Sequence, residues 1–289
     1  MALVPLNGIR VNVDVAGDPG APLAVLVMGT GSPGRVWRLH QVPALLAAGY
    51  RVATFDNRGI APTDECADGF TTDDMVADTA AVIEHLGGPA AVIGTSLGAR
   101  ITQELALARP DLVSCAVALA AHARIDPVGR ELSAGERALH DSGTVLPPRY
   151  HAAVAAHMNL SPATMRDEVA VRDWLDLFEM AGSAVTPGVR AQLALSEDVD
   201  RRAAYAAIGV PLLAVGFADD RLIAPHLAAE VAAIVPGARH VEVPDCGHIG
   251  YLERPDVVNA HILEFLAGSR VPGGFRGQDD AVQAAHSRA

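Results

Sequence analysis

The chain has 289 residues, half of them hydrophobic and few aromatic, which is enough to bury a sizeable core and argues against a disordered or fibrous protein. A formal net charge of −12 disfavours nucleic acid and anionic membrane surfaces as partners and points to a small-molecule substrate. All 22 basic residues are arginine, so Schiff-base chemistry, Ser-Lys dyads and a P-loop lysine are excluded, and with them PLP enzymes and P-loop NTPases. Cys66, Cys115 and Cys246 are odd in number and widely spaced, which indicates neither a disulfide framework nor a zinc knuckle. No stretch reads as a signal peptide or a membrane span, so a cytoplasmic protein is expected.

Asn7-Gly8 between short apolar runs predicts a hairpin leading into a strand over 9–15. Short buried strands are then predicted over 23–28, 52–55, 91–93 and 113–119, separated by helices near 36–48, 72–86 and 99–108. Strand signals stop between 121 and 207, where helical patterns are broken by Pro147-Pro148, Pro162 and Pro187. They return over 210–215 and 240–243, each followed by a helix, over 225–234 and 255–267. This alternation predicts an α/β fold with a mainly parallel sheet, formed by residues 1–120 and 208–267 and interrupted by a helical lid over 121–207. Residues 268–289 are polar and Gly-rich and are expected to form a disordered tail.

The chemistry centres on Gly94-Thr-Ser96-Leu-Gly98, which stands between a strand pattern and a helix pattern. That context is what a nucleophile elbow requires: a serine on a sharp strand-to-helix turn, with glycines where the backbones must pass closely. A serine needs a base, and the base needs a group to orient it. His248, in Val243-Pro-Asp-Cys-Gly-His-Ile-Gly directly after the last predicted strand, occupies the expected position. For the acid, counting three residues beyond Gly216 selects Asp219. Counting back four residues from the helix start at Ala224-Pro225 selects Asp220, which is the preferred assignment with Asp219 as its alternative. The oxyanion hole is assigned to the backbone N–H groups of Thr30, in the Gly29-Thr-Gly31 loop, and Leu97, the residue after the serine. Trp37, Met158, Trp174 and Phe178 are candidates for an apolar pocket. They read equally well as helix-core residues, and lid apolar groups could also serve a homodimer contact. No metal or cofactor is assigned.

These motifs, with Asp56-Asn-Arg-Gly resembling an Asp-x-Arg-Gly turn, resemble the α/β-hydrolase fold over about residues 1–267. The resemblance implies an eight-stranded, mainly parallel sheet and a serine hydrolase acting through an acyl-enzyme on an ester or lactone. The whole also resembles small actinobacterial hydrolases of polyketide pathways, the aclacinomycin methylesterase-like proteins, which implies secondary metabolism. One departure is Met28 before Gly29, where many relatives carry histidine. Two other readings stand beside the hydrolase: a lyase, cyclase or rearrangement catalyst without an acyl-enzyme, and a non-catalytic ligand-binding protein.

Overall fold

The computed structural model describes residues 2–182, 185–195 and 200–269. Strands β1 (Ala2–Leu6) and β2 (Ile9–Ala16) form the predicted hairpin, closed by Asn7 and Gly8 with φ of 46° and 79°, the two left-handed residues that a type I′ turn needs. There follow β3 (Leu23–Val27), a 3₁₀ turn (Gly34–Leu39), α1 (Gln41–Ala47), β4 (Arg51–Phe55), α2 (Thr72–His85), β5 (Ala90–Thr95), α3 (Leu97–Ala108) and β6 (Val113–Leu119). Six helices come next: α4 (Pro127–Asp141), α5 (Pro148–Asn159), α6 (Pro162–Arg166), α7 (Glu168–Ala181), α8 (Pro187–Ala194) and α9 (Arg202–Tyr205). The chain returns to the sheet with β7 (Leu212–Phe217), then α10 (His226–Ile234), β8 (Arg239–Val243), α11 (Gly250–Glu253) and α12 (Pro255–Ser269).

One predicted helix is divided. The pattern over 36–48 forms the 3₁₀ turn and then α1, because a proline ring inside a continuous helix would strike the carbonyl four residues earlier. The helix therefore restarts after Leu39, which leaves Pro43 in a first turn where its missing N–H costs nothing. Gly268 and Ser269, read from sequence as the start of a tail, complete α12; the rest of that tail lies outside the described residues.

The eight strands form one sheet in the order β1-β2-β4-β3-β5-β6-β7-β8, parallel from β4 to β8 and antiparallel at β1 and β2. All residues of β3, β5 and β7 are buried, as expected of strands covered on both faces. Val25 and Val27 of β3 pack into one core cluster and Ala24 and Leu26 into the other, so the pleat alternation supplies two cores from one apolar run. β3 lies between β4 and β5, so successive connections leave it in opposite directions. The crevice beyond its carboxyl end is where such sheets receive ligands.

The turn from β5 into α3 depends on two missing side chains. A Cβ on Gly98 would lie 2.2 Å from the Val27 carbonyl oxygen, and one on Gly94 would lie 2.0 Å from the carbonyl oxygen of Gly98. Backbone atoms cannot yield as a flexible side chain would. Gly98→Ala is therefore expected to destabilise the fold by about 3 kcal/mol, seen as a lower urea midpoint with an unchanged slope.

Candidate active site

The candidate triad and oxyanion loop lie beyond the carboxyl ends of parallel strands: the Gly29–Gly31 loop after β3, Ser96 after β5, Asp220 after β7 and His248 after β8. Ser96 has φ 55° and ψ −119°, a backbone state costing roughly 1–3 kcal/mol for a residue with a side chain. Its N–H donates to the Leu119 carbonyl at 2.9 Å, and its carbonyl accepts from Ala99 and Arg100 in the first turn of α3. The strain is thus held by hydrogen bonds on both sides. Gly29 comes so close to the elbow that its missing Cβ would sit 3.2 Å from the Ser96 Cβ.

His248 Nδ1 lies 2.8 Å from Asp220 Oδ2. The carboxylate only accepts, so Nδ1 carries the proton and Nε2 is left with its lone pair. The other oxygen of Asp220 accepts from the N–H groups of Leu222 and Ile223 at 2.8 and 2.9 Å, which fixes a carboxylate that is fully buried. Asp219 meets this loop differently: its backbone N–H donates to the Cys246 carbonyl at 3.0 Å and ties the β7 loop to the β8 loop. Of the two adjacent aspartates, Asp220 is the one whose side chain meets the histidine.

Ser96 and His248 face a cavity of about 920 Å³, together with Thr30 and Leu97. Leu97 is the first residue of α3, so its N–H has no intrahelical acceptor. Met158 also lines the cavity, among Leu132, Leu146, Val154, Val189 and Leu193. Trp37, Trp174 and Phe178 do not. Trp37 is fully buried under the sheet against Tyr251, ring centroids 4.9 Å apart. Trp174 and Phe178 stack on each other at 5.8 Å on α7, which packs on α5, so the helices nearer the serine form the wall instead. Met28, the residue before Gly29, is fully buried; its sulfur receives the Tyr251 hydroxyl at 3.7 Å and its carbonyl the Asn57 side chain at 2.8 Å.

The supporting groups were not legible as such. Asp56 accepts from the Gly34 N–H and the Asn12 amide, both at 2.7 Å, holding the segment after β3 against the end of β4. Arg58 and Asp78 form a buried bidentate pair at 2.6 Å. Gln192 of α8, fully buried, accepts from the Gly31 N–H and donates to the Arg58 carbonyl, both at 2.8 Å. Glu253 accepts from the Gly247 N–H at 2.6 Å and from the Ser161 N–H and hydroxyl at 3.0 and 2.9 Å, joining the His248 loop to the start of α6. His122, just beyond β6, also lines the cavity, with Nδ1 3.1 Å from the Ala120 carbonyl.

Comparison with known proteins identifies the family of the fold. Residues 24–261 match the model of the alpha/beta hydrolase family. The chain belongs to that family. It is 48% identical over 252 residues to the "Putative non-heme bromoperoxidase BpoC" of Mycobacterium tuberculosis, covering 87% of this chain and 94% of that protein. The crystal structure of BpoC superposes with a TM-score of 0.87 at 46% identity, covering 90% of this chain and 97% of that one. The "Putative carbamate hydrolase RutD" of Klebsiella pneumoniae is 31% identical over 271 residues, 90% of this chain and 96% of that protein. A hydrolase from Pseudomonas aeruginosa PA01 superposes with a TM-score of 0.79 at 25% identity, covering 90% and 95%. Among the described residues no helix is long and apolar enough to cross a membrane.

Burial lowers the His122 imidazole from 6.5 to about 4, so the folded protein holds it neutral where the unfolded chain begins to bind a proton. The stability this gives is complete above pH 6.5 and is lost as pH falls towards 4, in total about 3 kcal/mol. Urea unfolding at pH 7 and pH 4.5 is expected to show a drop in stability that His122→Gln reduces.

Proposed function

We propose that the protein is a serine hydrolase that cleaves a carboxylic ester or lactone through an acyl-enzyme. The observation that carries the reading is the 2.8 Å contact between His248 Nδ1 and Asp220, beside a strained serine that shares one cavity with the histidine. In this mechanism His248 Nε2 takes the proton from Ser96 Oγ as Oγ bonds to the substrate carbonyl carbon. The carbonyl oxygen becomes an oxyanion held by the N–H groups of Thr30 and Leu97. His248 then gives its proton to the alcohol oxygen as the carbon–oxygen bond breaks. A water deprotonated by the same nitrogen attacks the acyl-enzyme, and the acid leaves as Ser96 recovers its proton. Asp220 keeps the imidazole in the required tautomer throughout.

Leu132, Leu146 and Val154 in the cavity wall support a largely apolar substrate portion. Its volume supports a small to medium molecule, on the scale of the polyketide-type metabolites that the sequence resemblance implies. The carbamate hydrolase name of one relative is consistent with acyl transfer, since a carbamate is also attacked at carbonyl carbon.

Fluorophosphonate labelling followed by intact-mass spectrometry, with turnover of 4-nitrophenyl butyrate, tests the reading. Wild type is expected to gain one probe adduct and to hydrolyse the ester, and Ser96→Ala to lose both. Asp220→Asn should lower kcat by roughly 10³–10⁴-fold, whereas Asp219→Asn, which leaves the backbone N–H in place, should change it little. Turnover that survives in Ser96→Ala would favour catalysis without an acyl-enzyme. Tight ligand binding without labelling or turnover would favour a binding protein.

A further inference from the structure

We propose that Arg100 is an anion-binding residue of the cavity, receiving a carboxylate that the substrate carries a few carbons from the carbonyl attacked by Ser96. The inference rests on the serine hydrolase reading and narrows it to half-esters of short dicarboxylic acids and carboxylate-bearing lactones. Arg100 lies in α3 one turn beyond Ser96, about 6 Å along the helix axis, and lines the same cavity.

Arg100 is only 8% exposed. Of its five N–H donors, one bonds a neutral acceptor, the Leu195 carbonyl at 2.8 Å, and Nε is buried without a partner. Among the described residues no carboxylate pairs with it. The nearby cations are each answered. Arg124 pairs with Glu230 at 2.9 Å, and Arg201 takes both oxygens of Glu104 at 2.7 and 2.8 Å. Glu104 lies one turn beyond Arg100; its oxygens are hydrogen-bonded to Arg201 and the Tyr205 hydroxyl, and it acts on Arg100 through its charge alone. Burying a cation without a counter-ion costs several kcal/mol, and a guanidinium stays protonated despite the downward push that burial exerts on Arg100. In a chain of net charge −12, a buried guanidinium on the cavity wall, bonded to no carboxylate among the described residues, favours an anionic ligand.

The remaining charged groups of the cavity leave that demand open. His122 is neutral at physiological pH. The Asp126 carboxylate accepts the Gly129 N–H at the start of α4. Glu131 and Glu136 belong to α4, and burial pushes Glu136 towards its neutral form. A carboxylate offers the guanidinium two oxygens in the matching plane.

The test compares mono-4-nitrophenyl glutarate with 4-nitrophenyl valerate, esters of similar length that differ in the terminal carboxylate. Wild type is expected to show at least tenfold higher kcat/KM on the glutarate ester. Arg100→Met should erase that preference and Arg100→Lys should keep part of it. Calorimetric titration of glutarate into Ser96→Ala protein checks the site without turnover: binding is expected there and should vanish when Arg100→Met is added. Equal wild-type rates on the two esters, or an Arg100→Met variant that lowers both by the same factor, would overturn the proposal and leave Arg100 as a strut holding the Leu195 carbonyl. If neither ester turns over but glutarate still binds through Arg100, the hydrolase reading fails and the anion site stands.

Discussion

Three backbone segments meet within van der Waals contact where β5 passes into α3, and the active-site geometry is built around that meeting. The carbonyl oxygen of Val27 presses on Gly98, the carbonyl of Gly98 on Gly94, and Gly29 on Ser96 itself. A side chain at Gly98 would push α3 off the end of β3, and one at Gly94 would push α3 off β5. The crowding also keeps Ser96 in its positive-φ state: with α3 seated against the end of β3, the chain must leave β5 through a sharp turn. Sheet packing, supplied by the continuous apolar runs of β3 and β5, offsets the local cost.

From that point the remaining groups are placed by strand order. β6, β7 and β8 follow one another on the same side of β5, so their loops deliver His122, Asp220 and His248 to one edge in sequence. Each loop is then fixed by a polar group that does not enter the proposed chemistry. The Asp219 N–H links the β7 and β8 loops, Glu253 holds Gly247, and Asn57 and Asp56 hold the segments after β3. Buried acceptors that satisfy several donors at once are costly to disturb, which makes them suitable for holding reacting groups to within a few tenths of an ångström.

The serine and histidine were legible because their signals are local. An elbow is a strand, a five-residue pattern and a helix in immediate succession, and His248 follows the last strand directly. Two ways of counting disagreed between Asp219 and the preferred Asp220, since the choice depends on which way one turn residue faces after its neighbour's N–H has bonded across to the Cys246 carbonyl. The cavity wall was the least legible part. Trp174 and Phe178 have helical spacing whether they face substrate or each other, and only the stacking of α7 on α5 decides. Gln192 and Glu253 look like ordinary polar residues on amphipathic helices, and their burial comes from contacts more than a hundred residues away for Gln192 and about ninety for Glu253. His122 carried one usable signal: it closes the apolar run of β6 at the same edge as the nucleophile.

The seating of α8 divides the wall over the cavity into parts of unequal freedom. Gly188 and Gly59 touch backbone to backbone, Gln192 bridges the Gly31 and Arg58 main chains, and Arg100 grips the carbonyl that follows the helix. This helix is riveted to the same loop that presents Thr30, and it cannot swing outward without dragging the oxyanion donor along. A doorway for substrate that keeps the reacting groups in register must therefore leave α8 in place as its fixed jamb.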